Sequence, residues 1–265
     1  MEIRSVNCKT ALSPSRLPGL DYSLNPYRGC RHNCAYCYAP NVLKISRDKW
    51  GESIDVKTNI PVVLSKELKN KKPGIIGIST VTDPYQPIEK KYSLTRYCLE
   101  RLLKYDFPVS IQTKSSLVIK DIDLLSRFSD AEVMMSIGTL NDDERKLLEP
   151  NSSPIDKRLD VLRKYSDIGL RTSVFFGPIY PTISIGDIPR IIDTFIGCGV
   201  SEIFIDSLNL KSGIWDSIKK NIFHNQNMYK TYLQNIFENK EFYNSIRNEV
   251  LEFSKKRNVK IIDAF

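Results

Sequence analysis

Short apolar segments alternate with longer amphipathic segments from residue 22 to about residue 210. The short segments are rich in β-branched residues and have the length of strands. The longer ones repeat their apolar positions every three or four residues, as helices do. The predicted strands are residues 22–28, 75–80, 109–114, 132–139, 170–179 and 202–209, with one more short strand at 260–265. Strands that alternate with helices indicate βαβ units and a parallel sheet.

The clearest helical patterns lie at residues 93–105, 153–169 and 187–199, and residues 211–254 also have helical character. In the second of these, Ser153 is a candidate N-cap, Pro154 lies in the first turn and Gly169 ends the helix.

The strand count limits the architecture. Six strands in the main part of the chain are too few for a closed eight-stranded barrel. The pattern therefore fits a doubly wound open sheet or a partial barrel, and in both the functional residues lie at the carboxyl ends of the strands. We expect a single domain over residues 1–265, with a core at about 22–210 and a helical C-terminal extension at about 211–265.

Composition bears on the protein's binding partner and on its location in the cell. The net charge is +8 and 41% of the residues are hydrophobic. A basic chain favours an anionic partner such as nucleic acid, although a generally basic proteome explains the charge equally well. No apolar run reaches the ~18–20 residues needed to cross a bilayer, and the N-terminus lacks the apolar segment of a signal peptide. We therefore expect a cytoplasmic protein, in which cysteines seldom form disulfides.

Three of the six cysteines, Cys30, Cys34 and Cys37, form a C-x3-C-x2-C motif. A structural zinc site needs four ligands, and only His32 is available nearby, without a second pair of ligands. A zinc-dependent, non-catalytic module that binds nucleic acid is thus one hypothesis. A 4Fe-4S cluster takes four cysteines when fully ligated, so three leave one iron open for a small molecule.

The motif has an aromatic residue directly before its third cysteine, and in this it resembles the signature of the radical S-adenosylmethionine (SAM) enzymes. NPYRGCRHNCAYCYAP (25–40), TDPYQPIEKKYSLTR (82–96) and residues 148–181 resemble the branch that includes spore photoproduct lyase. The likeness covers residues 22 to about 210. It implies an α/β fold of the radical SAM type, a partial (β/α)6 barrel with parallel strands and a helical C-terminal tail.

The resemblance also implies a chemistry. Cys30, Cys34 and Cys37 would hold a 4Fe-4S cluster whose open iron binds S-adenosyl-L-methionine. One electron, from a donor of the flavodoxin or ferredoxin type, would cleave this cofactor to a 5′-deoxyadenosyl radical that abstracts hydrogen from the substrate. The protein's part is then to orient the cofactor and to exclude water.

Cofactor-binding residues are expected at the strand ends. By the same resemblance the backbone beside Tyr36 meets the adenine, Thr82 and Asp83 accept the cofactor's ammonium, and Lys114 pairs with its carboxylate. Ser136 is the expected partner of the ribose. For Asp83, which precedes Pro84, a role in the turn is the alternative.

The substrate stays open at this point. Photoproduct lyases carry a cysteine near the TDP-like turn, where this chain has Ser79, Thr80 and Val81. A lyase that repairs or modifies nucleic acid is therefore one alternative, beside an enzyme acting on a small molecule or peptide. The sequence does not identify the catalytic residues that contact the substrate, nor whether the cofactor is consumed or regenerated.

Overall fold

The computed structural model describes residues 2–264, and within this range eleven strands form two sheets. Eight strands form the larger sheet in the order β11-β10-β9-β8-β7-β6-β3-β2, and three form a small sheet in the order β1-β5-β4. The strands are β1 (Glu2–Val6), β2 (Leu12–Pro14), β3 (Tyr22–Leu24), β4 (Tyr27–Arg28), β5 (Ser53–Lys57), β6 (Ile76–Ile78), β7 (Val109–Thr113), β8 (Ala131–Ser136), β9 (Arg171–Phe176), β10 (Glu202–Ile205) and β11 (Lys260–Asp263).

The larger sheet is parallel from β3 through β11, and its edge strand β2 is antiparallel to β3. Every residue of β8 is buried, as expected of a parallel strand covered on both faces. The register pairs Thr113 of β7 with Met135 of β8, and Ser136 of β8 with Phe175 of β9. The carboxyl ends of these strands therefore lie along one edge. This confirms the predicted α/β fold, with the parallel strands of a partial barrel.

Eleven α-helices connect and cover the strands within residues 2–264. In α8 the residues Ile188, Ile191, Ile192 and Phe195 are buried, at the spacing of one helical face. None of the helices is long and apolar enough to span a membrane. The helices are α1 (Ala39–Leu43), α2 (Ile60–Glu67), α3 (Glu89–Tyr92), α4 (Leu94–Leu103), α5 (Ile122–Leu125), α6 (Asp142–Leu148), α7 (Ile155–Asp167), α8 (Ile188–Ile196), α9 (Ile214–Ile222), α10 (Gln226–Leu233) and α11 (Phe242–Arg257).

Two local predictions were wrong. Ser153 does not cap α7, because Pro154 occupies the N-cap and the Ser153 hydroxyl accepts from the Ser116 amide at 2.8 Å. The predicted strand at 22–28 breaks at Asn25 and Pro26, and its second half, β4, joins the small sheet antiparallel to β5. Proline supplies no amide hydrogen for the ladder, so the strand ends there.

The small sheet was not predicted from the sequence. β1 pairs in parallel with β5, and four of the five residues of β1 are exposed. Without an alternation of buried and exposed positions, such a strand has no hydrophobic signature.

The tail after β10 is helical, as predicted, and consists of α9, α10, a π-helical turn at Gln234–Glu238 and α11. It ends in β11, which pairs in parallel with β10. The last residue of the predicted strand, Phe265, lies outside the described residues.

Candidate active site

The three clustered cysteines lie on a loop between β4 and α1. At its start Gly29 has a φ of +92°, and a Cβ there would lie 2.5 Å from the carbonyl oxygen of Ser53. Only glycine allows the loop to pass this close to β5. Farther along, the Cys37 amide donates to the Cys34 carbonyl oxygen at 3.1 Å, which holds these two cysteines in one turn.

Hydrogen bonds from the strand ends fix this loop in place. The side-chain amide of Gln86 donates to the carbonyl oxygen of Gly29 at 3.1 Å, and the Thr82 hydroxyl donates to the same oxygen at 2.5 Å. On the other side, the Ala35 amide donates to the carbonyl oxygen of Leu148 at 2.8 Å. Thr82 thus anchors the loop, and its role toward the cofactor's ammonium stays a prediction.

All three clustered thiols are free, and burial raises the pKa of each, that of Cys30 to about 12. At Cys34 the positive charge of Lys114 acts against burial without cancelling it. The thiols also raise one another's pKa values, because a second thiolate beside the first is unfavourable. Binding as thiolates therefore requires positive charge from the bound group itself, and iron would supply it.

Polar atoms without a partner concentrate around the cysteine loop. Within residues 2–264, four buried side-chain nitrogen or oxygen atoms lack a hydrogen-bond partner, namely His32 Nδ1, Trp50 Nε1, Ser79 Oγ and Ser254 Oγ. Two of them, Trp50 Nε1 and Ser79 Oγ, belong to segments next to the loop, whereas His32 Nδ1, on the loop itself, faces the Asp83 carboxylate at 3.2 Å. Ser79 also has a left-handed backbone, with a φ of +66°. Buried polar groups without partners are rare, so this concentration fits a site built around a bound polar group.

His32 does not complete a zinc site. Its Nδ1 lies 3.2 Å from Asp83 Oδ2, so the ring contacts a carboxylate. In the described part of the chain, no group of three or more His, Cys, Asp or Glu side chains converges on a point that would hold one metal ion. In a 4Fe-4S cluster each cysteine binds its own iron, which sets the ligands farther apart than around one ion. Three thiols without a fourth ligand suit such a cluster with one open iron.

Asp83 is buried, and its carboxylate accepts from the Thr113 hydroxyl at 2.7 Å and from the Tyr85 and Lys114 amides at 2.9 and 2.8 Å. Burial alone would raise its pKa, but His32 and these donors lower the pKa to about 2. The ionised carboxylate ties the end of β7 to the turn after β6. Its contact with a cofactor ammonium stays a prediction.

Lys114 follows β7, and its ammonium lies 5.7 Å from the centre of the Tyr36 ring. Burial would lower the pKa of Lys114, but Cys34 as a thiolate and the ionised Glu149 outweigh burial and raise it. Lys114 therefore stays a cation beside the cysteine loop, where it can attract a carboxylate.

A buried ion pair lies behind Tyr36. Glu149 is 1% exposed, Arg158 is fully buried, and the guanidinium bonds directly to the carboxylate. The Tyr36 hydroxyl donates to Glu149, and the Tyr180 hydroxyl donates to the same oxygen at 3.3 Å. Burial alone would raise the pKa of Glu149, but Arg158 and Lys114 lower it to about 2. The ionised carboxylate holds the Tyr36 ring in place within the cysteine loop.

Ser136 ends β8, and its hydroxyl accepts from the Gln112 amide group at 3.2 Å. Its carbonyl oxygen accepts from Arg158 at 2.7 Å. The structure thus places all predicted cofactor residues on the cysteine loop or at the ends of β6, β7 and β8, and their contacts with the cofactor stay predictions. These residues are Tyr36, Thr82, Asp83, Lys114 and Ser136.

Several residues of this site were missed by sequence reasoning. Glu149 and Arg158 look like solvated charges of a helical segment, and only Pro150, which breaks that segment, hinted at a special position. Gln86 has no distinguishing pattern. Trp50 did carry a signal, since it is the one large apolar residue in the polar stretch SRDKWGES at 46–53.

The comparison with known families agrees with this geometry. The sequence model of the Radical SAM superfamily matches residues 24–195, and the chain therefore belongs to this superfamily of enzymes. An uncharacterized protein of Methanocaldococcus jannaschii is 37% identical over 185 residues, which are 69% of this chain and 70% of the relative. An uncharacterized protein of Acidianus two-tailed virus is 31% identical over 222 residues, 75% of this chain and 73% of the relative.

The fold has relatives among solved structures. A mutant of spore photoproduct lyase superposes with a TM-score of 0.73 at 14% identity, over 99% of this chain and 82% of the lyase. At this identity the likeness concerns the fold, and it extends through the C-terminal tail.

Proposed function

We propose that this chain holds a 4Fe-4S cluster through Cys30, Cys34 and Cys37 and reductively cleaves S-adenosyl-L-methionine. The observation that carries the proposal is the set of three thiols on one anchored loop, two of them buried, beside the buried Trp50 Nε1 that lacks a partner. When bound, the cluster and its cofactor supply a 5′-deoxyadenosyl radical for hydrogen abstraction from the substrate.

The chain's own residues bind and orient the cofactor. Lys114 supplies a cation for the cofactor's carboxylate, and the buried hydroxyl of Ser136 is offered to its ribose. The backbone beside Tyr36 faces the adenine, with the ring held by Glu149. Asp83, whose low pKa keeps it ionised, supplies a negative charge for the cofactor's ammonium group. Burial of these groups keeps water away from a reactive carbon radical.

The proposal includes a soluble electron carrier of the flavodoxin or ferredoxin type as partner, and a single domain over residues 1–265. Support for one domain comes from β11, which returns the tail to the edge of the main sheet.

The test is cofactor cleavage by anaerobically reconstituted protein. Dithionite-reduced wild type should release 5′-deoxyadenosine, and Cys37→Ala should reduce the release to background. Cys8→Ala is the matched control, because this partly buried cysteine lies outside the cysteine loop. Wild type that binds no iron, or a Cys37→Ala variant that cleaves like wild type, would contradict the proposal.

For the substrate, one surface of the tail favours single-stranded nucleic acid over a small molecule. Four aromatic rings form a row, in which Phe223 meets Tyr229 at 5.9 Å, Tyr229 stacks on Trp215 at 6.3 Å, and Trp215 meets Phe237 at 5.0 Å between ring centres. The end rings, Phe223 and Phe237, are 49% and 50% exposed. Exposed rings of this kind stack on unpaired bases.

Lysines accompany this aromatic row. Trp215 and Lys219 lie four residues apart on one face of α9, and Phe223 follows at the same interval as the C-cap of the helix. Lys211 precedes the helix. Three more lysines and two acidic residues lie in the segment 211–240, so its charge is positive. Lys211 also lies 5.6 Å from the ring centre of Tyr38, the residue after Cys37. The start of this segment, four residues before Trp215, therefore lies next to the cysteine loop.

Binding of a fluorescent single-stranded oligonucleotide tests this surface. Affinity should fall with rising salt, and Phe223→Ala should weaken binding about fivefold or more, because one base–ring stack is worth about 1–3 kcal/mol. Tyr97→Ala is the matched control, since this ring is 47% exposed but lies on α4. Equal losses in the two variants, or no binding at low salt, would leave a small molecule or peptide as the substrate class.

A further inference from the structure

Trp50 is a buried side chain with an unused hydrogen-bond donor. It is 4% exposed, and its indole Nε1 has no partner in the described part of the chain. The indole nitrogen is a donor only. Burying this N–H without an acceptor is unfavourable. An apolar side chain without a polar hydrogen at position 50 would avoid this cost. Its presence indicates that an acceptor occupies the adjacent space in the working protein.

The cysteine loop is that adjacent space. Trp50 packs in a small apolar cluster whose other buried members are Cys30 and Ala39, with Cys37 partly buried against it. The residues on either side are tied to the same loop. The Arg47 guanidinium donates to the Cys37 carbonyl oxygen at 2.8 Å.

The opposite side of the Trp50 segment is clamped as well. Arg31 donates to the carbonyl oxygen of Gly51 at 2.9 Å. A Cβ on Gly51 would lie 2.8 Å from the Asn33 side chain, so the backbone after Trp50 presses directly on the loop. The indole is thus held against the cysteines between two anchors and has little freedom to turn away.

We propose that the Trp50 N–H donates a hydrogen bond to a sulfur of the iron–sulfur cluster and thereby raises its reduction potential. The inference rests on the proposed function, because it requires the cluster. Sulfur atoms of the cluster and its thiolates are acceptors, and hydrogen bonds to them are among the factors that set the potential. The reduced cluster carries one more electron, so its sulfur atoms accept more strongly and the reduced state is stabilised.

Redox titration of the reconstituted protein, with mediators and without substrate, tests this role. Trp50→Phe keeps an aromatic ring and removes the donor. At the wild-type midpoint potential, the ratio of reduced to oxidised cluster should fall about tenfold, which corresponds to ~59 mV for a one-electron couple. Tyr97→Phe is the control, since it also keeps an aromatic ring and removes a donor, but this partly exposed residue lies on α4. A Trp50→Phe potential equal to wild type would overturn the inference.

A second measurement needs no variant. Wild type labelled with ¹⁵N at the tryptophan indole and exchanged into deuterated water should show, by electron–nuclear double resonance on the reduced cluster, a coupling to an exchangeable deuteron together with a coupling to the indole nitrogen. If Trp50→Phe fails to load iron, this wild-type spectrum decides, and no coupling from an exchangeable indole deuteron would refute the hydrogen bond. Failure of wild type to assemble any cluster would instead refute the proposed function.

Discussion

Two buried glutamates at opposite ends of α6 have opposite electrostatic environments. Glu149, at the cysteine-loop end, is bonded to Arg158. Glu144, in the first turn, is 5% exposed and accepts only from hydroxyl groups, those of Thr182 at 2.6 Å and Tyr232 at 3.0 Å being the shortest. It lines a cavity of about 500 Å³. One carboxyl is neutralised by a cation, and the other is not.

The pKa values follow this difference. Burial raises the pKa of Glu144, and its hydroxyl donors offset the effect only in part. At Glu149 burial acts in the same direction, but Arg158 reverses it and lowers the pKa to about 2. Of these two glutamates, the one with a cation beside it has the lowered pKa, and the one with hydroxyl donors alone has the raised pKa. The cation-paired glutamate lies beside Tyr36 and Lys114, at the proposed cofactor site.

The largest expected effect comes from removing the cation. Arg158→Met leaves an ionised carboxylate buried without its partner and should destabilise the cluster-free protein by about 3–5 kcal/mol. Urea unfolding measures the loss.

A double variant separates the charge from the packing. Glu149→Gln combined with Arg158→Met removes both charges and keeps an acceptor for Tyr36. It should recover most of the stability, since replacing both partners of a buried pair is often nearly neutral. A double variant as unstable as Arg158→Met would show that the packing of the arginine stem matters more than its charge.

This ion pair also shows where sequence reasoning ends. The strands from β6 through β10 were predicted because each is an apolar or β-branched run between helices. The cysteines were predicted from their spacing and a family resemblance, and Lys114 from that resemblance together with its place at a carboxyl strand end. Glu149 and Arg158 are buried by tertiary packing, and charged residues are otherwise nearly always exposed. No local pattern predicts that two of them pair inside the protein.

The Trp50 segment shows a partial signal. A single large apolar residue among polar neighbours indicates burial, yet the sequence does not say against which surface. That depends on Gly51 and Asn33 meeting across the loop, a contact between residues eighteen positions apart. Such contacts depend on the folded backbone and have no counterpart in composition or periodicity.

The next largest effect is expected from a Tyr→Phe substitution beside each of the two glutamates. Tyr36→Phe removes a donor from the ionised Glu149 and should cost about 1–3 kcal/mol, as expected for hydrogen bonds to charged groups. Tyr232→Phe removes a donor from Glu144, whose raised pKa brings it closer to the neutral form, and should cost about 0.5–1.5 kcal/mol. Both hydroxyls are buried, so the comparison is matched. Equal losses in urea unfolding would mean that the two carboxyls do not differ in charge.

The smallest effect is a change in pH dependence. Glu144 has a folded pKa above its ordinary 4.5, so the native state binds the proton more tightly than the unfolded chain does. Its contribution to stability is therefore present below pH 4.5 and declines as the pH rises through the folded pKa. Glu144→Gln should reduce this decline and change stability at low pH by less than about 1 kcal/mol. Asp206, whose pKa burial raises to about 6, leaves a residual decline. Glu149 contributes in a different pH range, since its stabilisation is lost as the pH falls from 4.5 toward 2.

The free energy of unfolding should be measured against pH both below and above 4.5. Below this pH, Glu144→Gln and wild type should have the same slope, and above it the slope of Glu144→Gln should be smaller. An identical slope in the upper window would mean that Glu144 titrates normally in the folded protein.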